Sequence, residues 1–113
     1  MSLLEELNIT LAPLGLPIET VVFSEPPPDT YLVITPMSEV FQLYADDLPH
    51  HEIQEARLSL FSKGSYTAIK NSIVQALLAA EIQITDRLYV GHEDDTGYHH
   101  YAIDVAKEYR LED

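Results

Sequence analysis

The stretch IQEARLSLFSKGSYTAIKNSIVQALLAAE, residues 53–81, changes its hydrophobic period halfway along. Up to Lys63 the period is two. Ala56, Leu58 and Leu60 alternate with Glu55, Arg57 and Ser59, the pattern of a half-buried antiparallel strand. After Gly64 and Ser65 the spacing becomes helical: Ile69, Ile73, Leu77 and Ala80 form a stripe that Tyr66, Ala76 and Leu78 widen. Residues 66–81 are therefore expected to form one long helix. A strand feeding a helix with one apolar face lays that helix across the sheet.

Upstream, Ser2 and Glu5 fit a capping box, with a helix beginning behind them and Leu4, Leu7 and Leu11 on one side. Pro13, Gly15 and Pro17 end that pattern. IETVVFSE, residues 18–25, is strand-like, and EPPPDT, residues 25–30, is an exposed polyproline-type connector, since three prolines cannot donate ladder hydrogen bonds. TYLVITPM (30–37) and EVFQLYAD (39–46) are β-branched and aromatic runs around a short break, which reads as a hairpin or a bend in one long strand, and the hairpin is the reading taken. DDLPHHE (46–52) reads as a polar loop that carries His50 and His51.

Downstream, IQITDRLYVGH (82–92) and YHHYAIDVAKEYR (98–110) are expected to pair antiparallel across EDDTG, where Gly97 is available for a positive φ. The order helix, about four strands, long helix, two strands predicts an α+β fold. In it an antiparallel sheet carries both helices on one face, as a single domain over residues 1–113. The expected core is Leu58, Leu60, Ile69, Ile73, Leu77, Leu88, Val90, Ile103 and Val105.

Three histidines (His92, His99, His100) and four carboxylates (Glu93, Asp94, Asp95, Asp104) crowd residues 91–104. With a side-chain period of two, His99 shares a face with Tyr101, Ile103 and Val105, while His100 faces the other way with Tyr98, Ala102 and Asp104. One ion cannot take both, and acidic residues in a turn are common for backbone reasons. The reading is a polar turn with strand-end histidines and no metal or catalytic centre. His50 and His51 are read as solvent or interface residues. No Ser-His-Asp order, glycine-rich phosphate loop or H-E-x-x-H motif occurs, so no cofactor and no enzymatic activity are expected.

Composition narrows the partners. With Asp+Glu 19 against Lys+Arg 6 the formal net charge is -13, which repels phosphate backbones and disfavours direct nucleic-acid binding. Cysteine is absent, which removes disulfides and thiolate chemistry. No apolar run is long enough for a membrane-spanning helix, and carboxylates stand where a signal peptide carries Lys or Arg, so neither membrane insertion nor secretion by that route is expected.

Four stretches carry a resemblance: PPDTY (27–31), the loop YADDLP (44–49), EARLSLFSKGSY (55–66), and EDDTGYHHYAIDVAK (93–107). Together they make the chain, over nearly its whole length, similar to a small family from tailed bacteriophages and prophages of Gram-positive bacteria, in the tail-completion or tail-terminator group. The resemblance implies an α+β fold and a structural role at the head–tail junction. It also implies a homo-oligomeric ring, a hexamer in form, in contact with tail-tube or head-completion proteins. The location implied is the virion neck, reached from the host cytoplasm during assembly. Candidate interface residues lie in the expected loops: Glu25, Pro26, Pro27, Pro28, Asp29, Asp46, Asp47, His50, His51, Glu93, Asp94 and Asp95. The alternative that composition suggests is an acidic adaptor or DNA mimic that occupies a basic host protein.

Overall fold

A computed structural model of the chain describes residues 2–20, 27–45 and 48–111, with only the backbone of residues 42–45 and 48–49. The elements are α1 (Leu3–Leu11) with a 3-10 turn (Ala12–Leu14) behind it, β1 (Ile18–Thr20), β2 (Thr30–Ala45), β3 (Leu48–Ser62), α2 (Thr67–Ala79), β4 (Gln83–His92) and β5 (His99–Arg110). The fold is α+β, as the periodicities require. The sheet has five strands in the order β1-β2-β3-β5-β4. All neighbours are antiparallel except β1, which runs parallel to β2 over Ile18↔Leu32 to Thr20↔Ile34.

Two expectations are corrected here. TYLVITPM and EVFQLYAD are not the two arms of a hairpin: they are one strand, and the break between them is a register shift between Pro36 and Glu39. A bulge absorbs the extra residues without reversing the chain, and Pro36 is tolerated because β2 lies next to the sheet edge there. The polar loop at 46–52 is also strand for most of its length. Pairing of β2 with β3 continues to Ala45↔Leu48, so His50 and His51 sit in β3 and the true reversal is between those partners. Sixteen residues at about 3.3 Å each make β2 about 50 Å long, and this sets the 54 Å length of a body only 25 × 24 Å across.

The core lies between the sheet and the two helices. Leu3, Leu7 and Leu11 of α1 and Ile73 and Leu77 of α2 pack on Leu32, Ile34, Ala56, Leu58, Leu60, Ile103 and Val105, all buried. The α1 stripe is thus centred on Leu3 where the spacing suggested Leu4, which is half-buried, and Leu78 of α2 is exposed. The capping box at Ser2 and Glu5 is formed. Helix α2 stops before Glu81, whose φ of 59° lets the Ile82 N–H reach back to the Leu77 carbonyl, and Ile82 then plugs the core.

Of the expected core, Leu88 and Val90 are wrong: both are exposed on β4. Register shifts between Ile84 and Asp86 and between Tyr89 and Gly91 turn Leu88 to the face without helices, opposite Ala102, and leave Val90 unpaired in the second shift. A single added residue inverts every later side chain in a strand.

One polar knot joins the layers. On β5, Lys107 donates to the Glu6 carboxylate of α1 and to the Ala80 carbonyl at the end of α2, while Tyr109 Oη donates to the other Glu6 oxygen at 2.7 Å. Burial alone would raise the Glu6 pKa, but the bonds from Lys107 and Tyr109 and the Lys107 charge outweigh it and hold it below 4.5. Burial and the bond to Glu6 push the Tyr109 phenol upward.

Two outcomes test this architecture. Leu77→Ala should cost about 2–5 kcal/mol in urea denaturation, whereas Leu88→Ala should stay within about 0.5 kcal/mol because its site is open to water. For Glu6 the folded pKa is depressed, so its contribution is complete above 4.5 and is lost as pH falls through the folded value. Glu6→Gln should therefore destabilise by about 1–3 kcal/mol near neutral pH, and the gap from wild type should narrow as pH falls below 4.5 and through the folded value.

Candidate functional site

The residues expected to form one set of interface loops are divided between the two ends of the long sheet. At the end where β2 and β5 begin, Tyr98 Oη donates to the carbonyls of Pro27 (3.2 Å) and Pro28 (2.6 Å), fastening the proline segment beside the β4–β5 turn. Asp29 is exposed, and its carbonyl accepts from the Lys63 N–H while its carboxylate lies 3.8 Å from Lys63 Nζ. Glu93, Asp94 and Asp95 are exposed in the adjoining turn. That turn closes through Gly97 N–H to the Glu93 carbonyl (2.7 Å) and Thr96 Oγ1 to the Glu93 carboxylate (2.8 Å), with Gly97 at φ 81°. Glu25 and Pro26 lie outside the described residues, as do Asp46 and Asp47.

At the opposite end stand His50 and His51, on a strand and not in a loop. His51 pairs with both Gln42 and Arg110, and its ring Nε2 is 3.8 Å from Glu108. His50 is exposed, and its carbonyl accepts from Leu111 N–H.

The three histidines of the 91–104 stretch divide between faces as alternation demands. On the helix side His99 Nδ1 bonds Tyr89 Oη at 2.8 Å, and His92 lies directly across the pair with ring centroids 4.7 Å apart. Tyr66 extends this into a stack with Tyr89 and Tyr101. On the other side His100 stacks on Phe61 at 4.3 Å, and Phe61 stacks on Tyr31 at 4.9 Å. Burial lowers the His100 pKa, and its Nε2 has no partner among the described residues. An imidazole stacked on Phe61, with burial disfavouring its charged form, is a packing element. Among the described residues no three His, Cys, Asp or Glu side chains come together in a way that would hold a metal ion. The polar partners of His51, His92 and His99 are Glu108, Asp94 and Tyr89, with no serine or threonine hydroxyl among them.

What the loop reading missed are the sheet edges. β1 covers β2 only as far as Ile34, so the outer side of residues 36–45 has no described partner. Along this part of β2 Met37, Val40 and Phe41 are 50–55% exposed. At the far side of the sheet β4 is the last strand, with Leu88, Tyr89 and Val90 40–49% exposed. Both sides of the sheet thus carry exposed apolar side chains among the described residues. The signal was present in the letters: Leu88-Tyr89-Val90 is a run of three apolar residues that no alternating strand can bury on one face.

No family model matches the chain, and no curated protein matches it.

The turn geometry yields a direct check. A Cβ at Gly97 would meet nothing within 4 Å, so any penalty there comes from the backbone conformation alone. Gly97→Val should destabilise by about 1–3 kcal/mol in thermal or urea unfolding, and Gly97→Asn by distinctly less, because asparagine tolerates this φ.

Proposed function

We propose that this chain is a structural, non-enzymatic protein of a tailed-phage virion that assembles as a homo-oligomeric ring at the head–tail junction, against tail-tube or head-completion proteins. The observation that carries the reading is that the two sides of the sheet, β4 on one and the part of β2 with no described outer partner on the other, are different surfaces, each with exposed apolar side chains. A contact between unlike surfaces propagates from copy to copy and closes into a ring when its rotation allows. The sequence resemblance supplies the setting, and the charge of -13 suits it, since an acidic lumen lets DNA pass without adhering. No helix among the described residues is long and apolar enough to cross a membrane.

The same charge favours a second reading, an acidic adaptor or DNA mimic bound to a basic host protein. Deletion of the gene separates them. The ring reading expects DNA-filled heads and tails that remain unjoined or vary in length under the electron microscope. Normal infectious particles combined with a failure in host takeover would contradict it and leave the mimic as the better account.

A further inference from the structure

The chain has six Lys and Arg residues, and five are engaged within it. Arg57 forms a two-point bond with Asp104 at 2.7 and 3.0 Å, and Lys107 bonds Glu6. Lys63 lies near Asp29 and over the Tyr98 ring, and Lys70 lies over Tyr101. Arg110 also has an interaction of its own. Arg87 differs: it is exposed on β4, next to Leu88 and Tyr89, and none of the described acidic side chains pairs with its guanidinium. In a chain of net charge -13 an unclaimed arginine on a sheet edge is notable, because acidic side chains outnumber basic ones three to one.

The complementary feature lies at the other edge. The β2 bulge at Met37 and Ser38 opens a cavity of about 270 Å³ between the start of α1 and strands β2 and β3. Leu4, Pro36 and Met37 give it apolar walls, and Glu39 and Glu55 give it two carboxylates. Glu55 accepts a hydrogen bond from Ser38 Oγ at 2.6 Å, and neither carboxylate has a basic partner among the described residues. An apolar cleft with two uncompensated carboxylates suits an arginine, whose stem packs on hydrocarbon while its head takes the charges.

We propose that copies of this chain associate edge to edge, with Arg87 on β4 of one copy inserted into the Glu39–Glu55 cavity beside β2 of the next. The proposal rests on the ring reading and names its contact. The faces agree: Arg87 pairs with Ile103 and so stands on the helix side of the sheet, as do Pro36 and Ala56 at the cavity. The heights nearly agree as well. Arg87, Ile103, Leu58 and Ile34 form one row across the sheet, and the cavity begins two residues further along β2. Met37, Val40 and Phe41 on one edge then face Leu88, Tyr89 and Val90 on the other. Bulges on both edges prevent a long uninterrupted ladder, so the side chains, and the arginine above all, select this contact over other edge pairings.

The chain contains no cysteine, so single thiols report the contact without background. Val90→Cys and Met37→Cys proteins, which keep Arg87, Glu39 and Glu55 and carry their thiols on exposed positions beside them, mixed with a short bis-maleimide cross-linker, should form heterodimers several-fold faster than either does with Ser72→Cys on the exposed side of α2. Equal rates would overturn the contact. Sedimentation velocity of the full chain supplies the second reading: Arg87→Glu and Glu39→Arg should each weaken self-association, and the double variant, with the charges exchanged, should recover it. Wild-type oligomers indifferent to both reversals would overturn this contact and leave the ring reading standing. Monomers at every concentration, with no cross-linking above the Ser72 control, would overturn both.

Discussion

Everything in this molecule is hung on β3. It is paired along both sides, with β2 from Ser62 to Leu48 and with β5 from Ser62 to His51, so its backbone groups are used on each flank over most of its length. One face of the same strand contributes Ala56, Leu58 and Leu60 to the core beneath the helices. Because β3 is long, its neighbours can be long. Beyond Ile34, where the pairing with β1 ends, the outer side of β2 has no partner among the described residues. The described body therefore has two unlike sides around β3.

Strand β3, α2 and the final hairpin were legible because each carries a clean period. Ala56, Leu58 and Leu60 alternate without interruption, Ile69, Ile73 and Leu77 repeat at helical spacing, and Gly97 marks the turn between β4 and β5. Readings failed where a bulge intervened. The proline and polar residues at 36–38 look like a chain reversal, but pairing with β3 on the inner side keeps the strand going. On β4 two register shifts undo the alternation that would have placed Leu88 and Val90 in the core. Local propensity is a weak guide where strand pairing, a long-range event, decides the outcome. The histidine stretch was legible for the converse reason: β5 is regular there, so the opposite facing of His99 and His100 follows from parity alone.

The candidate site was less legible than the fold. Loops were the natural place to look, since irregular segments carry most recognition. Yet several groups in the described parts of those loops, though exposed, are engaged by local partners: Pro27 and Pro28 accept from Tyr98, Asp29 meets Lys63, and Glu93 closes its own turn. Among the described residues the exposed apolar side chains of the strand edges stand beside an arginine with no acidic partner and two carboxylates with no basic one. A single sequence does not show which strand will end up at the edge of a sheet. That knowledge depends on the order β1-β2-β3-β5-β4, in which β5 inserts between β3 and β4 after the helix crossover.

The central claim is that the open sides of this sheet exist for another copy of the same chain. Amide hydrogen exchange followed as a function of protein concentration tests it most directly, since it reads the backbone of each strand separately. On this account the amides of β3 and β5 around Leu58, Leu60 and Ile103 are slow at every concentration. Those of residues 36–45 in β2 and of β4 around Arg87 to Val90 gain protection together as concentration rises. Exchange that stays independent of concentration at both edges, up to the solubility limit, would contradict it.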